Sequence, residues 1–173
     1  MAVTSLEGLT SEETEAVRNF FTAWPECWSW GTDWWYRKDA VDRIAPITKR
    51  FLKLSPILTK VSHRQDVNTY LREATKCYLY GFFQASTALF RTALETGLSD
   101  FLHRKLGPIQ GLKLNERITC AVQSKLIPPE IGSMAHEVRK AANEAIHEKP
   151  ITEMNAFDVL TKTRCVLETL YHS

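Results

Sequence analysis

The chain has 173 residues, of which 44% are hydrophobic, and a formal net charge of +2 at pH 7. This length fits one globular domain with an extension, and so small a net charge does not by itself indicate a nucleic-acid-binding protein. The cysteines are scattered, which predicts reduced thiols and neither a metal site nor a cofactor. There is no signal-peptide pattern, and no apolar run approaches the roughly 20 residues that span a membrane. The sequence therefore predicts a cytoplasmic protein without a membrane partner.

The N-terminal region combines a helix start with a tryptophan cluster. Thr10 followed by Glu13 is a capping-box pattern, and the helix it begins should end before Trp24-Pro25, because a residue that precedes proline avoids helical geometry. All five tryptophans lie between Trp24 and Trp35. We interpret them either as a platform on which bases stack or, since no lysine or arginine is interleaved and only Arg37 and Lys38 follow, as an aromatic plug or a contact for a partner protein.

Three helices are predicted next, and the third is the centre of the fold. Asp39 to Leu58 has apolar residues at helical spacing, with Pro46 expected to kink or divide the segment. Asp66 to Tyr80 is a second helix, which Gly81 ends or bends. Phe82 to Lys105 is the longest, and apolar residues occupy nearly every side of it, which is typical of a buried central helix.

The C-terminal part predicts three more helices, separated by prolines. They cover Asn115 to Lys125, Met134 to His147, and Thr152 to about Tyr171. No segment alternates between apolar and polar residues as a strand does. The predicted fold is therefore an all-α, up-and-down helical bundle of residues 63–173, with residues 1–62 as a helical, tryptophan-rich extension packed on it as one globular unit.

Polar side chains follow one narrow strip of the next-to-last predicted helix. Arg139, Asn143 and His147 lie four residues apart, and each step of four advances about 40° around a helix. His136 falls in the same strip. An apolar arc borders the strip on one side, and a charged arc that includes Lys140 lies on the far side. The strip therefore follows the boundary between the buried and the solvated face, where a side chain is held by packing and still reaches a ligand.

Arg91 lies in the middle of the predicted central helix. A buried guanidinium without a partner carries a large desolvation cost. One interpretation pairs it with Glu95, one turn later, as a buried ion pair that ties helices together. The other interpretation directs it into the same pocket as Asn143 and His147.

Two sequence patterns together resemble a known family. The first is E-A-x-x-C-Y-x-x-G-x-x-x-A-x-x-x-L-x-R-x-A-L-E, from Glu73 to Glu95, and the second is R-x-x-x-N-x-x-x-H, from Arg139 to His147. From Asp66 to the C-terminus, the chain resembles a helical domain of unknown function in the HEPN superfamily, which is often found with restriction and phage-defence proteins.

The resemblance implies a bundle of four or five helices that commonly dimerises, and it implies an activity. Many HEPN proteins are metal-independent endoribonucleases with an arginine, often an asparagine, and a histidine four to six residues after the arginine; here that separation is eight. His147 would take the proton of a ribose 2′-OH, Arg139 would hold the scissile phosphate, and Asn143 would orient either group. Three further residues are candidates for binding nucleic acid: Arg91, His136 and Lys140.

One such strip supplies a proton acceptor but no obvious proton donor. A two-fold homodimer would supply a second His147 and a second Arg139 to a shared site. His136 is a spare candidate for the donor. The predicted partners are therefore RNA and a second copy of the chain.

Two other functions stay open on the sequence. The same groove could serve a non-catalytic module that binds RNA, a nucleotide or a partner protein. The chain could also be a structural dimerisation or adaptor subunit that uses the tryptophan cluster as its contact surface. In either case His147 would be a helix-terminal histidine that the helix dipole favours.

Overall fold

The computed structural model describes five ranges of the chain: residues 10–15, 34–54, 64–108, 111–147 and 150–172. Within them, the side chains of residues 34–42, 146 and 147 are not described. The chain divides into two compact units, residues 1–58 and 59–173. Across the described ranges the regular structure is helical, without a strand, which confirms the all-α prediction. No helix in these ranges is both long and apolar enough to cross a membrane.

The first unit has the helix start that the sequence predicts. The Thr10 amide donates to Glu13 Oε2 at 2.6 Å, and the Glu13 amide donates to Thr10 Oγ1 at 3.3 Å, which is the reciprocal capping box. Residues 11–15 are helical. The predicted end of this helix before Trp24-Pro25 lies outside the described residues, and so do the side chains of the tryptophan cluster.

A single helix, α1, covers Trp34–Leu54. Pro46 lies inside it, so the prediction that this proline divides the segment is wrong, and the alternative of a kink stays a prediction. Proline lacks the amide that would bond to the carbonyl four residues earlier, but Pro46 is exposed, so that carbonyl can bond to water. Ile44 and Leu54 are buried while Phe51 is 47% exposed. Helical spacing alone therefore overestimates how much of α1 is buried.

The second unit contains five described helices, each at a position that the sequence predicts. Their bounds are α2 Gln65–Leu79, α3 Phe83–Leu106, α4 Leu114–Gln123, α5 Pro129–His147 and α6 Glu153–His172. Helix α5 begins five residues before the predicted Met134. Pro129 suits the first turn of a helix, because the amide that it lacks would have no partner there.

Local signals begin and end these helices. Gly81 adopts a positive φ of 84°, which costs glycine little and other residues more, and it turns the chain from α2 into α3. At the start of α6 the Asn155 amide donates to Thr152 Oγ1 at 3.2 Å, which confirms that Thr152 caps this helix.

Helix α3 is the centre of the second unit, as the sequence predicts. It packs against α2, α4, α5 and α6. Its buried large apolar side chains lie within an arc of about 120° round the helix: Phe90, Leu94, Leu98, Phe101 and Leu102. The buried Ala93 and Gly97 widen that arc to about half of the circumference. Full burial of one such side chain stabilises a fold by about 1.5–3 kcal/mol, so α3 supplies a large part of the hydrophobic stabilisation.

Two hydrogen bonds give the directions of the helices on either side of α3. Ser86 Oγ donates to the Ala74 carbonyl at 2.9 Å, across the turn that sets α2 antiparallel to α3. Gln84, near the start of α3, donates through Nε2 to the carbonyl of Ala145, near the end of α5, at 3.4 Å. Helix α5 is therefore antiparallel to α3 as well.

Helix α6 runs parallel to α3. Phe157, near the start of α6, contacts Tyr78 beside the turn that begins α3, with ring centroids 6.1 Å apart. Tyr171, near the end of α6, donates its hydroxyl to Asp100 in the last third of α3 at 3.2 Å. The bundle therefore alternates in direction from α2 to α3, to α5 and to α6, in the predicted up-and-down arrangement.

Two glycines lie where helices pack closely. A Cβ added at Gly97 of α3 would collide with Leu167 of α6, and one added at Gly132 of α5 would collide with Val122 of α4. Glycine is unfavourable within a helix by about 1 kcal/mol relative to alanine. Close helix packing is the physical reason for both glycines.

Candidate functional site

The predicted polar strip lies at the edge of the buried face of α5. Arg139 and Asn143 are half-buried, beside the fully buried Val138 and Ala142. His147 is the last residue of α5, and its side chain lies outside the described residues. The opposite face of the helix is exposed and carries charged residues: Glu137, Lys140 and Glu144.

The structure brings together only some of the residues predicted to bind nucleic acid. His136 is half-buried and lies in the strip with Arg139. Lys140 follows Arg139 by one residue, which turns it about 100° further round the helix, onto the exposed face. Lys140 therefore lies away from the strip, among acidic side chains.

Arg91 does not pair with Glu95, so that interpretation is wrong. Glu95 Oε1 instead lies 3.6 Å from Arg117 Nη1 of α4. Arg117 of α4 therefore takes the carboxylate that the sequence assigned to Arg91. Within the described ranges, no ion pair joins Arg91 to an acidic residue.

Arg91 and Arg139 share an unusual feature. The Nε atom of each is buried and has no hydrogen-bond partner among the residues that the structure describes. Each residue as a whole is half-buried rather than sealed from solvent. A buried donor left without an acceptor costs about 1–3 kcal/mol, and a guanidinium in a protein does not shed its proton to avoid that cost. Each guanidinium therefore has one buried donor that the fold leaves unsatisfied.

The two arginines lie at the same level of the α3–α5 pair. The hydrogen bond from Gln84 to the Ala145 carbonyl aligns these antiparallel helices at one point. From there Arg91 is seven residues along α3, and Arg139 is six residues back along α5. These displacements are about 10.5 and 9 Å in the same direction. Packed helices lie about 8–10 Å apart, a gap that two arginine side chains span readily.

Both arginines also face the same side of that pair, the side on which α4 lies. Glu95, one turn after Arg91, makes its ion pair with α4. Gly132, two turns before Arg139 on the same stripe of α5, packs directly against α4. We call the surface between the two helices on this side the α3–α5 groove, defined by five residues: Gln84, Ala88, Arg91, Arg139 and Asn143.

The surroundings of His136, beside the groove, lower the pKa of this histidine. Burial lowers the pKa of His136 below its ordinary value of 6.5, and the positive charge of Arg139 lowers this pKa further. The imidazole is therefore neutral at pH 7. In that state it suits accepting a proton rather than donating one as an imidazolium.

The lowered pKa of His136 predicts an acid-sensitive contribution to stability. Since the pKa in the folded state lies below the ordinary 6.5, the unfolded chain binds the proton first as the pH falls. Stability is then complete above about pH 6.5 and declines below it. We expect Tm, followed by circular dichroism, to fall less between about pH 7.5 and about pH 5.5 in His136→Gln than in the wild type. An equal fall in Tm over this pH range in the wild type and in His136→Gln would contradict this assignment.

A second polar surface lies along the C-terminal half of α3, and the sequence analysis missed it. It is an open cavity of about 380 Å³. Its lining comes from the start of α2, from α3 and from α4: Arg64, Glu95, Thr96, Ser99, Asp100, His103 and Arg117. The available signal was a polar series at four-residue spacing on an otherwise apolar helix, namely Glu95, Ser99 and His103.

The cations of this cavity are paired with carboxylates. Arg64 lies 2.9 Å from Asp100 and 2.7 Å from Asp66, and Arg117 lies 3.6 Å from Glu95. The hydrogen bond and charge of Arg64 lower the pKa of Asp66 to about 2, and the same carboxylates raise the pKa of Arg64. The cavity therefore offers little uncompensated charge to an anion, in contrast to the α3–α5 groove. In the described part of the chain, no three His, Cys, Asp or Glu side chains are placed to hold a metal ion.

Comparison with known proteins identifies a family for the C-terminal part of the chain. A family model described as "Domain of unknown function (DUF4145)" matches residues 72–173, which is more than half of the chain and includes the whole α3–α5 groove. No curated protein and no solved structure matches the chain.

Proposed function

The chain belongs to the DUF4145 family, whose description assigns no activity, and from the groove itself we propose that it is a HEPN-type, metal-independent endoribonuclease. The observation that carries the proposal is the half-buried Arg139, whose buried Nε has no acceptor among the described residues and which lies on the same strip of α5 as Asn143 and His147. A guanidinium in such surroundings binds a phosphate oxyanion more strongly than one in water does.

The chemistry proposed for the strip is transesterification within RNA. His147 takes the proton of a ribose 2′-OH, and the 2′-oxygen attacks the adjacent phosphorus. Arg139 stabilises the charge that develops on the phosphoryl oxygens. The bond to the 5′-oxygen breaks, leaving a 2′,3′-cyclic phosphate on one fragment and a 5′-hydroxyl on the other.

The leaving 5′-oxygen also needs a proton. The lowered pKa of His136 makes this histidine a poor imidazolium donor at pH 7, so it does not suit the role of the acid. The protonated His147 of a second copy of the chain, paired across a two-fold axis, suits the role better. This proposal therefore includes a homodimer in which the two strips face each other.

The test is incubation of the purified full chain with total RNA in EDTA. We expect fragments with 2′,3′-cyclic phosphate ends from the wild type, and cleavage reduced by about 10²-fold or more in His147→Ala, because removing a general base costs about that much. His172→Ala, at an exposed histidine outside the groove, should cleave as the wild type does. Cleavage that requires a metal ion, or equal cleavage by His147→Ala, would rule out this mechanism.

The alternative is a non-catalytic module that binds RNA through the same arginine. The eight-residue separation favours it, because His147 lies about 12 Å along the helix axis from Arg139 within one protomer. Retention of labelled RNA without any cleavage product, lost in Arg139→Ala, would select this alternative.

A further inference from the structure

We infer that Arg91 and Arg139 together bind one phosphate group in the α3–α5 groove, so that a residue of the central helix belongs to the binding site. The inference deepens the proposed function and rests on it only in taking RNA as the source of the phosphate. The shared chemistry is a tetrahedral phosphate oxyanion, which a nucleic-acid backbone and a free polyphosphate both present.

The positive charge of the two arginines is not compensated within the described residues. The nearest acidic side chains by sequence pair elsewhere: Glu95 with Arg117 at 3.6 Å, and Glu137 with Lys162 at 2.6 Å. Two guanidiniums at one level of a helix pair repel each other, and partial burial weakens the screening of that repulsion. An anion between them would remove the repulsion and supply acceptors for donors that have none.

The ligand class follows from the shape of the donors. A guanidinium presents its N–H groups as a planar fork that matches two oxygens of a phosphate, and lysine cannot reproduce this geometry. Two forks reaching from α3 and α5 can take oxygens on opposite sides of one phosphorus. A carboxylate has two oxygens in one plane, so two guanidinium forks would have to share them, whereas the tetrahedral oxygens of a phosphate suit forks that arrive from two directions.

Arg91 is therefore a binding residue with a role distinct from that of a structural cation. A structural arginine, once removed, lowers the stability of the protein and leaves ligand effects intact. An arginine held for an anion has the opposite signature. Its removal spares or raises the Tm of the unliganded protein and abolishes the stabilisation that the anion gives.

The experiment measures Tm of the full chain with and without inorganic pyrophosphate at about 10 mM, in the wild type, Arg91→Met, Arg139→Met and Arg72→Met. Arg72 is an exposed arginine of α2 and serves as the matched control. We expect pyrophosphate to raise Tm by about 3 °C or more in the wild type and in the control, and by far less in the two groove variants. A wild type that pyrophosphate does not stabilise, or an Arg91→Met protein that keeps the full shift, would overturn the inference.

A second arm measures the affinity for a single-stranded RNA oligonucleotide. Arg91→Met should weaken it about tenfold or more, which identifies RNA as the source of the phosphate. Unchanged RNA affinity with a lost pyrophosphate shift would instead assign the site to free polyphosphates and remove RNA as its ligand. If Arg91→Met does not fold, Arg91→Lys decides: it keeps the charge but not the fork, so a reduced shift supports the inference and a full shift overturns it.

The two proposals fail in different ways. If pyrophosphate no longer raises Tm in both groove variants and the wild type does not cleave RNA, the phosphate site is supported and the nuclease activity is ruled out. If Arg91→Met cleaves RNA normally and only Arg139→Ala loses cleavage, the nuclease activity is supported and Arg91 is not part of the site.

Discussion

Arg139→Ala is expected to reduce RNA cleavage by roughly 10²–10³-fold while leaving the Tm of the protein unchanged or higher. The activity falls because a charged donor at the scissile phosphate stabilises the transition state more than the bound substrate. The Tm does not fall, because the Nε of Arg139 has no hydrogen-bond partner to lose among the described residues, and its desolvation cost disappears with it. Single-turnover cleavage of a short RNA in EDTA, with thermal melts of the same samples, measures both quantities.

Two companion variants make this result specific. Arg139→Lys keeps the charge without the bidentate geometry and should recover only part of the activity. Arg72→Ala removes an exposed arginine of α2 and should change neither quantity. A fall in Tm of Arg139→Ala that parallels its loss of activity would show that Arg139 holds the bundle together rather than a phosphate.

Gly97→Ala is expected to lower the free energy of unfolding by about 1–3 kcal/mol. Replacing glycine by alanine within a helix ordinarily raises the free energy of unfolding by about 1 kcal/mol. The change expected here therefore has the opposite sign. The added Cβ would collide with a methyl group of Leu167, which is itself fully buried on α6. Because protein interiors are close-packed, α3 and α6 must separate or Leu167 must leave its rotamer. Urea unfolding of the full chain measures the change.

A double-mutant cycle tests whether this collision is the cause. Leu167→Ala alone should cost about 2–5 kcal/mol, because it leaves a cavity beside Gly97. The combination Gly97→Ala with Leu167→Ala should cost less than the sum of the two by about 0.5–3 kcal/mol, since each change relieves the other. Additive effects, or a stabilised Gly97→Ala, would contradict the close approach of α3 and α6.

The helical part of the fold follows from local sequence signals. The capping box at Thr10, the turn at Gly81 and the cap at Thr152 each act within a few residues, and each is present in the structure. The many apolar residues of α3 identify it as the central helix, and in the structure it packs against α2, α4, α5 and α6. Pro46 is the exception, since its effect on α1 depends on whether the carbonyl it leaves unbonded reaches water, which a local pattern does not encode.

The sequence predicts which candidate site residues share one helix face, but it does not predict which residues of two different helices meet. The spacing of Arg139 and Asn143 places both at the edge of the buried face of α5, as observed. The partner of Arg91 could not be predicted in the same way. Glu95 is its nearest neighbour in sequence, yet Arg117 takes that carboxylate from another helix. The groove depends likewise on the register between α3 and α5, which is fixed by contacts of residues some 60 positions apart.

Both arginines of the groove lie in the middle of long helices, at least eight residues from either end. The field of a helix dipole acts within the first and last turn, so the peptide backbone adds nothing to the positive potential between α3 and α5. Among the described residues that define the groove, the positive charges are those of Arg91 and Arg139. A single acidic residue acquired at Ala88, a half-buried position about one turn before Arg91, would offset part of this charge. During divergence of this bundle, anion affinity can therefore be gained or lost in one step while the architecture stays the same.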